Sequence, residues 1–157
     1  MRFHGLVLVA AVAALSACGG GDTNTDTSAA AGAGPAAGAA TGTAAPVTGR
    51  VHEVKMLGDE RGYRFEPADI TIKAGDGIKW VMVSGAPHNV AFENVAADAK
   101  GQLSANMPNQ LTDLSSPMLI NANETYEMSF ANVKPGKYNY VCTPHIANNM
   151  RGSITVQ

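Results

Sequence analysis

From Arg50 to the C-terminus, apolar residues recur at every second position in short runs. Val54 and Met56, Ile70 and Ile72, Ile78, Trp80 and Met82, Val90 and Phe92, Tyr126, Met128 and Phe130, and Ile154 and Val156 each alternate with polar or small residues. A period of two marks a strand with one face buried and the other wet. Turn-forming clusters separate the runs at Gly58-Asp59, Ala74-Gly75-Asp76-Gly77, Ser84-Gly85-Ala86-Pro87 and Lys134-Pro135-Gly136. Short strands punctuated in this way predict an all-β chain folded as an antiparallel sandwich. The rhythm lapses over residues 94 to 118. That stretch predicts one short helix or an irregular crossover, with Asn94 placed to cap a helix through Ala96 to Ala99.

The N-terminal part reads differently. Arg2 precedes an apolar run from Leu6 to Leu15, too short to span a bilayer as a mature helix, so residues 1–17 read as a signal peptide. Leu15-Ser16-Ala17-Cys18 has the form of a bacterial lipoprotein signal, with cleavage before Cys18 and lipid attached to its sulfur. The alternative is an ordinary secretory signal followed by an incidental cysteine. Residues 19 to 47 are almost entirely Gly, Ala, Thr, Ser and Pro, with Asp22 and Asp26 as the only charges, and cannot bury enough apolar surface to order themselves. They read as a tether whose root-mean-square span is about 30 Å. Lipid at Cys18 would anchor the chain to a membrane after export, in the periplasm or at the cell surface. The tether would then let the domain move between membrane-bound partners. The alternative is a spacer that only holds the domain clear of the envelope.

Residues 48–157 are the size of one domain, and a chain of that length folds without disulfide staples. That span carries ten Lys or Arg and eleven Asp or Glu, so it is close to neutral. It has no basic run to pair with phosphates, which excludes nucleic acid as a partner class. The chain has two cysteines, Cys18 and Cys142. With Cys18 lipidated, Cys142 is an unpaired thiol in an oxidising compartment, and metal ligation explains it.

The chemistry gathers near the C-terminus. Cys142, His145 and Met150 lie within nine residues, after the alternation Tyr138, Asn139, Tyr140, Val141. Tyr138, Tyr140 and Cys142 share a face, which sends the sulfur into the core from the end of its strand. Thr143 and Pro144 then turn the chain, with Pro144 removing one backbone donor near the sulfur. His145 can fold back, and the loop Ile146 to Asn149 can return Met150 to the same point. Thiolate, imidazole and thioether are donors that select copper over harder cations. His88, far upstream, completes a set of two histidines, one cysteine and one methionine. That set predicts a mononuclear copper site for electron transfer.

Cys142, two residues, His145, four residues and Met150 resemble the ligand loop of plastocyanin-like blue copper proteins, a branch of the cupredoxins. Ala86-Pro87-His88-Asn89-Val90-Ala91-Phe92 is similar to that family's first-histidine segment, and Lys134-Pro135-Gly136-Lys137-Tyr138 to the turn before its last ligand strand. The resemblance covers most of residues 49 to 157. It implies a Greek-key cupredoxin β-sandwich or barrel and one type 1 copper held by His88, Cys142, His145 and Met150. It further implies that both histidines bind through Nδ1, with the far ring edge of His145 near solvent as the electron port. Flanking residues Pro144, Ile146 and Gly85 would form a docking face for a donor and an acceptor redox protein, met by a monomer. Asn89 would tie the two ligand loops together and donate toward the cysteine sulfur; its alternative is a plain polar residue at a strand edge. The chain departs from photosynthetic members in lacking acidic surface clusters and in carrying Val141 where they have tyrosine before the cysteine.

Competing classes are a copper storage or delivery protein, a cysteine-dependent enzyme, a zinc site and a copper oxidase. Storage calls for clustered exposed methionines, yet Met56, Met82, Met107, Met118 and Met128 are scattered as core and loop residues would be. A Cys-His enzyme would leave Met150 without a role and shows no orienting third group. Structural zinc sites use four Cys or His ligands, and an oxidase would need further histidine clusters. The expectation is therefore a carrier and not an enzyme. His52, beside Glu53 and without a partner motif, reads as a solvated surface histidine.

Overall fold

The computed structural model describes residues 44–157. The signal peptide expected over 1–17, Cys18 and the tether as far as residue 43 lie outside the described residues. Among the described residues, eight strands and one α-helix follow in order: β1 Val51–Asp59, β2 Gly62–Glu66, β3 Asp69–Ile72, β4 Gly77–Met82, β5 Ala91–Glu93, α1 Ala97–Asn106, β6 Thr125–Ser129, β7 Gly136–Val141 and β8 Arg151–Val156. They form two four-stranded sheets, β2-β1-β4-β6 and β3-β8-β7-β5. The alternating runs supply the space between them. Trp80, Tyr140, Phe65, Phe130, Met56, Ile78, Met128 and Ile154 are fully buried there, each worth about 1.5–3 kcal/mol of apolar burial. Met82 and Met107 are buried with them, as expected of core methionines.

The expected sandwich is present, but it is not wholly antiparallel. β1 runs parallel to β4, and β3 runs parallel to β8. Each of these neighbours is reached by chain that crosses to the opposite sheet and returns, so both members enter from the same end. One pole of the sandwich consequently collects the start of β1, the β3–β4 turn and the C-terminus. Val51 pairs with Gly77, the Ala74 N–H donates to the Gln157 carbonyl, and the Phe130 N–H donates to the Asp76 carbonyl. The opposite pole receives the chain after β4 and after β7.

Three local readings need correction. Gly58 and Asp59 lie inside β1, and the hairpin turn is Glu60-Arg61, with Asp59 opposite Gly62. Gly58 is needed in the strand for closeness: a Cβ there would sit 2.7 Å from the Tyr63 ring and 2.8 Å from the Gly85 Cα. The helix is longer than expected, and its N-cap is Ala96, without a side-chain cap. Asn94 instead takes a left-handed conformation, φ 54°, in the turn leading into it. Residues 114 to 119, expected to be irregular, run back along the first-histidine segment. The His88 and Leu119 backbones exchange hydrogen bonds of 3.0 and 2.7 Å, and the Ser116 N–H donates to the Val90 carbonyl at 2.9 Å.

His52 is also not simply solvated. Its Nε2 lies 2.9 Å from Asp76 Oδ2, and Asp76 is buried at 8 % exposure. The Asp76 carboxylate closes the pole, accepting from the Lys73 N–H at 3.1 Å and the Arg50 N–H at 2.8 Å. The Lys73 N–H first, then the His52 ring and the Arg50 N–H, hold its pKa down at about 2, against an ordinary value of 3.8. A carboxyl depressed on folding stabilises the fold above its unfolded pKa and stops doing so as pH falls through its folded one. The expected outcome is a urea midpoint that declines between about pH 4 and about pH 2. Asp76→Asn should start lower at neutral pH and decline less steeply, as measured by denaturation across that range.

Candidate metal centre

The pole beyond β4 and β7 holds the polar residues singled out in the sequence. β7 delivers Tyr138, Tyr140 and Cys142 to the buried face, as their spacing requires, and Cys142 has no exposed surface. A 3-10 helix, Thr143–Asn148, begins directly after it with Pro144 in the first turn, where the missing N–H costs nothing. His145 breaks the helix with φ −118° and ψ 24°. Asn149 ends it in the left-handed conformation, φ 57°. The loop closes on its own backbone. The His145 N–H donates to the Cys142 carbonyl at 3.0 Å, the Met150 N–H to the His145 carbonyl at 3.2 Å, and the Cys142 N–H to the Met150 carbonyl at 3.1 Å. Met150 is thus returned beside both residues and is fully buried.

His88 arrives from the other sheet, 54 positions away in sequence, and is fully buried. Its Nε2 meets the Ser84 carbonyl oxygen at 2.8 Å, which turns Nδ1 inward. Cys142 Sγ lies 3.5 Å from His88 Nδ1 and 3.3 Å from His145 Nδ1. All three donor atoms fall within 4.8 Å of one another, close enough to share one ion. Both imidazoles turn Nδ1 toward the sulfur. His145 is only 7 % exposed, whereas Pro144 and Ile146 beside it are exposed. Gly85 is half-buried against the β1–β2 hairpin.

The Asn89 carboxamide joins the two loops. Its Oδ1 accepts from the Thr143 N–H at 2.8 Å and from Thr143 Oγ1 at 3.0 Å. Near the sulfur, the backbone N–H of Asn89, like that of His145, favours the thiolate. The Asn89 Nδ2 donates to Ser115 Oγ at 3.0 Å. The two neighbouring serines went unread in the sequence, because isolated serines in an aperiodic stretch carry no signal. Tyr63 was missed too. Its ring stacks on that of His145 with centroids 3.7 Å apart and planes 14° from parallel, and it meets His88 edge-on at 6.1 Å. The short alternation Tyr63-Arg64-Phe65 after Gly62 could have revealed that strand.

Electrostatics keep the cluster neutral. Burial pushes the Cys142 thiol up, against the two backbone N–H groups that would favour thiolate. Burial pushes His88 down, and burial and then the nearby His88 push His145 down. Two neutral imidazoles and one sulfur, all soft or borderline donors, suit copper, and their three donor atoms lie within 4.8 Å of one another. The donor set therefore fits one type 1 copper ion.

Comparisons with known proteins agree. Residues 52–157 match the family model described as copper binding proteins of the plastocyanin/azurin family. The chain belongs to that family. It is 36% identical over 105 residues to plastocyanin of Scenedesmus fuscus, covering 66% of this chain and 97% of the relative. It is 32% identical over 111 residues to plastocyanin of a Synechococcus strain, covering 71% of this chain and 76% of the relative. Among solved structures, oxidised plastocyanin from Dryopteris crassirhizoma superposes with a TM-score of 0.52 at 29% identity, over 68% of this chain and all of that one. A mutant fern plastocyanin gives 0.51 at 31% identity with the same coverage. The cupredoxin sandwich read from the sequence is thus the observed fold, and copper is the family's metal.

Removing the carboxamide that joins the loops should loosen both. Asn89→Ala is expected to cost about 1–3 kcal/mol, the usual penalty for stranding buried hydrogen-bond partners. Urea denaturation of the copper-free protein measures it, with an unchanged m-value separating lost stability from altered unfolding.

Proposed function

We propose that this protein is a one-electron carrier that holds a single type 1 copper through His88 Nδ1, Cys142 Sγ, His145 Nδ1 and, more weakly, Met150. The observation that carries the reading is the convergence of Cys142 Sγ with two Nδ1 atoms at 3.3 and 3.5 Å in a buried pocket. When bound, copper supplies one-electron chemistry by alternating between Cu(I) and Cu(II). The chain's part is to lose the Cys142 thiol proton, present three fixed donors and keep water out. Each donor sits on a loop closed by backbone hydrogen bonds and backed by a sheet, so the set is pre-formed. Fixed donors limit the rearrangement that accompanies each change of charge. Met150, a neutral thioether, would be the weakest of the four donors and would help tune the potential.

Pro144 and Ile146, exposed beside His145, would form the face met by a donor and an acceptor protein, with Gly85 at its inner margin. Ile146 is 45% exposed. Pro144 additionally denies the sulfur's loop one N–H. We further read the chain as exported, lipidated at Cys18 and working as a monomer in the periplasm or at the cell surface. Residue 48 is the expected start of the folded unit, although the Ala45 N–H already donates to Asn106 Oδ1 at 3.1 Å. A tether entering there joins the pole opposite the donors, which leaves the copper end free to face partners. Storage or delivery is the less favoured reading, because the donors are buried.

Addition of Cu(II) to the purified protein should produce an intense blue or green thiolate-to-copper charge-transfer band. Cys142→Ala should abolish it. Met150→Leu should keep the copper and the band but change the potential. A colourless Cu(II) protein would favour storage, and loss of all copper from Met150→Leu would contradict the assignment of Met150 as the weakest donor. Mass spectrometry of the mature N-terminus should find acyl chains on Cys18; an unmodified cysteine removes the anchor.

A further inference from the structure

The two imidazoles are held in different ways. A ligating histidine is normally oriented by a hydrogen bond from its far nitrogen to a protein acceptor. His88 has one, to the Ser84 carbonyl at 2.8 Å. Among the described residues, His145 Nε2 has no such partner, and Thr143, Pro144, Ile146 and Ala147 around it are all exposed. What meets its ring is Tyr63, stacked at 3.7 Å and 14°. Offset or parallel stacking of this kind has a defined geometry and restrains ring rotation.

The seat of Tyr63 is itself built. The β1–β2 hairpin touches the first-histidine loop backbone to backbone through Gly58 and Gly85. A Cβ on Gly85, where φ is +78°, would lie 2.4 Å from the Gly58 Cα. A Cβ on Gly58 would lie 2.7 Å from Tyr63 Cε1. Ser84 couples the same parts: its Oγ accepts from the Gly58 N–H at 3.3 Å while its carbonyl takes His88 Nε2. The hairpin therefore cannot shift without disturbing Ser84, and through it His88.

From this geometry we infer that Tyr63 is a positioning residue for His145: its ring replaces the missing hydrogen bond and holds the imidazole with Nδ1 turned toward Cys142. This orientation exists before any metal enters. Gly58 leaves room for the ring, and Gly85 leaves room for Gly58. The inference about the metal-loaded protein rests on the copper-carrier reading; the inference about ring orientation does not.

Nuclear magnetic resonance of the copper-free full-length protein tests it. In the native chain and in Tyr63→Phe, the His145 ring protons should be shifted upfield by the adjacent ring, with unaveraged side-chain couplings showing one orientation. In Tyr63→Ala and in Tyr63→Leu, which keeps most of the apolar volume, the His145 couplings should average while those of His88 stay unaveraged. In the Cu(I)-loaded protein, the same two variants should broaden the His145 ring signals selectively and shift the potential, whereas Tyr63→Phe should match the native values. A single His145 orientation in both Tyr63→Ala and Tyr63→Leu would overturn the inference. So would a Tyr63→Phe variant that behaves like Tyr63→Ala. A colourless Cu(II) protein would end the carrier reading and leave the copper-free result standing.

Discussion

A sulfur and two ring nitrogens share a space that water does not reach, and everything around them follows from that constraint. A buried polar atom without a partner costs free energy, so each group that points inward must be answered by one that fixes its outward side. Ser84 fixes the far nitrogen of His88. Backbone N–H groups of Asn89 and His145 approach the sulfur. The Asn89 carboxamide then makes one structure of two loops drawn from opposite sheets, by accepting from Thr143 and donating to Ser115. Among the described residues only the far nitrogen of His145 is left without a protein partner, and there the Tyr63 ring stacks on the imidazole instead.

The sheet topology serves the same end. Parallel pairing of β1 with β4 and of β3 with β8 sends the chain after β4 and after β7 out at one pole. His88 follows the first exit and Cys142 the second. The other pole is closed by Asp76, whose carboxylate gathers the backbone of Arg50 and Lys73 and the ring of His52. Chain entry and C-terminus therefore lie at one end and the chemistry at the other. Insertions or a leader attached at the first pole need not disturb the second.

Most of the fold was legible because its signal is local. Tyr138, Tyr140 and Cys142 alternate, and period two alone puts the sulfur in the core. The candidate donors were legible for another reason: cysteine, histidine and methionine at short fixed spacing are chemically rare, and an unpaired thiol demands a purpose. What escaped depends on contacts between distant segments. The hairpin turn uses the charged pair Glu60-Arg61, not Gly58-Asp59, since Gly58 serves close approach to Gly85 and Tyr63. β2 was hidden by its brevity and by Arg64, which faces Asp59 at 2.7 Å. Ser115 and Ser116 sit in a stretch without periodicity, and only the fold brings them to Asn89 and Val90. His52 looked solvated because its partner, Asp76, is 24 positions away.

Charge balance connects the buried pocket to the proposed redox role. Burial keeps the metal-free cluster neutral, with Cys142 protonated and both imidazoles uncharged. On the proposed reading, one proton leaves the thiol when a cation enters, so the donors then carry a single negative charge. A monovalent cation brings the pocket back to neutrality, whereas a divalent one leaves a net positive charge away from water. Removing a net charge from water is costly, so burial favours the reduced state and raises the potential. The backbone N–H groups aimed at the sulfur act in the same direction, because they stabilise negative charge that the divalent ion withdraws more strongly. Met150, as the proposed fourth donor, would add no charge to this balance, so the charge argument rests on the sulfur and its surroundings alone.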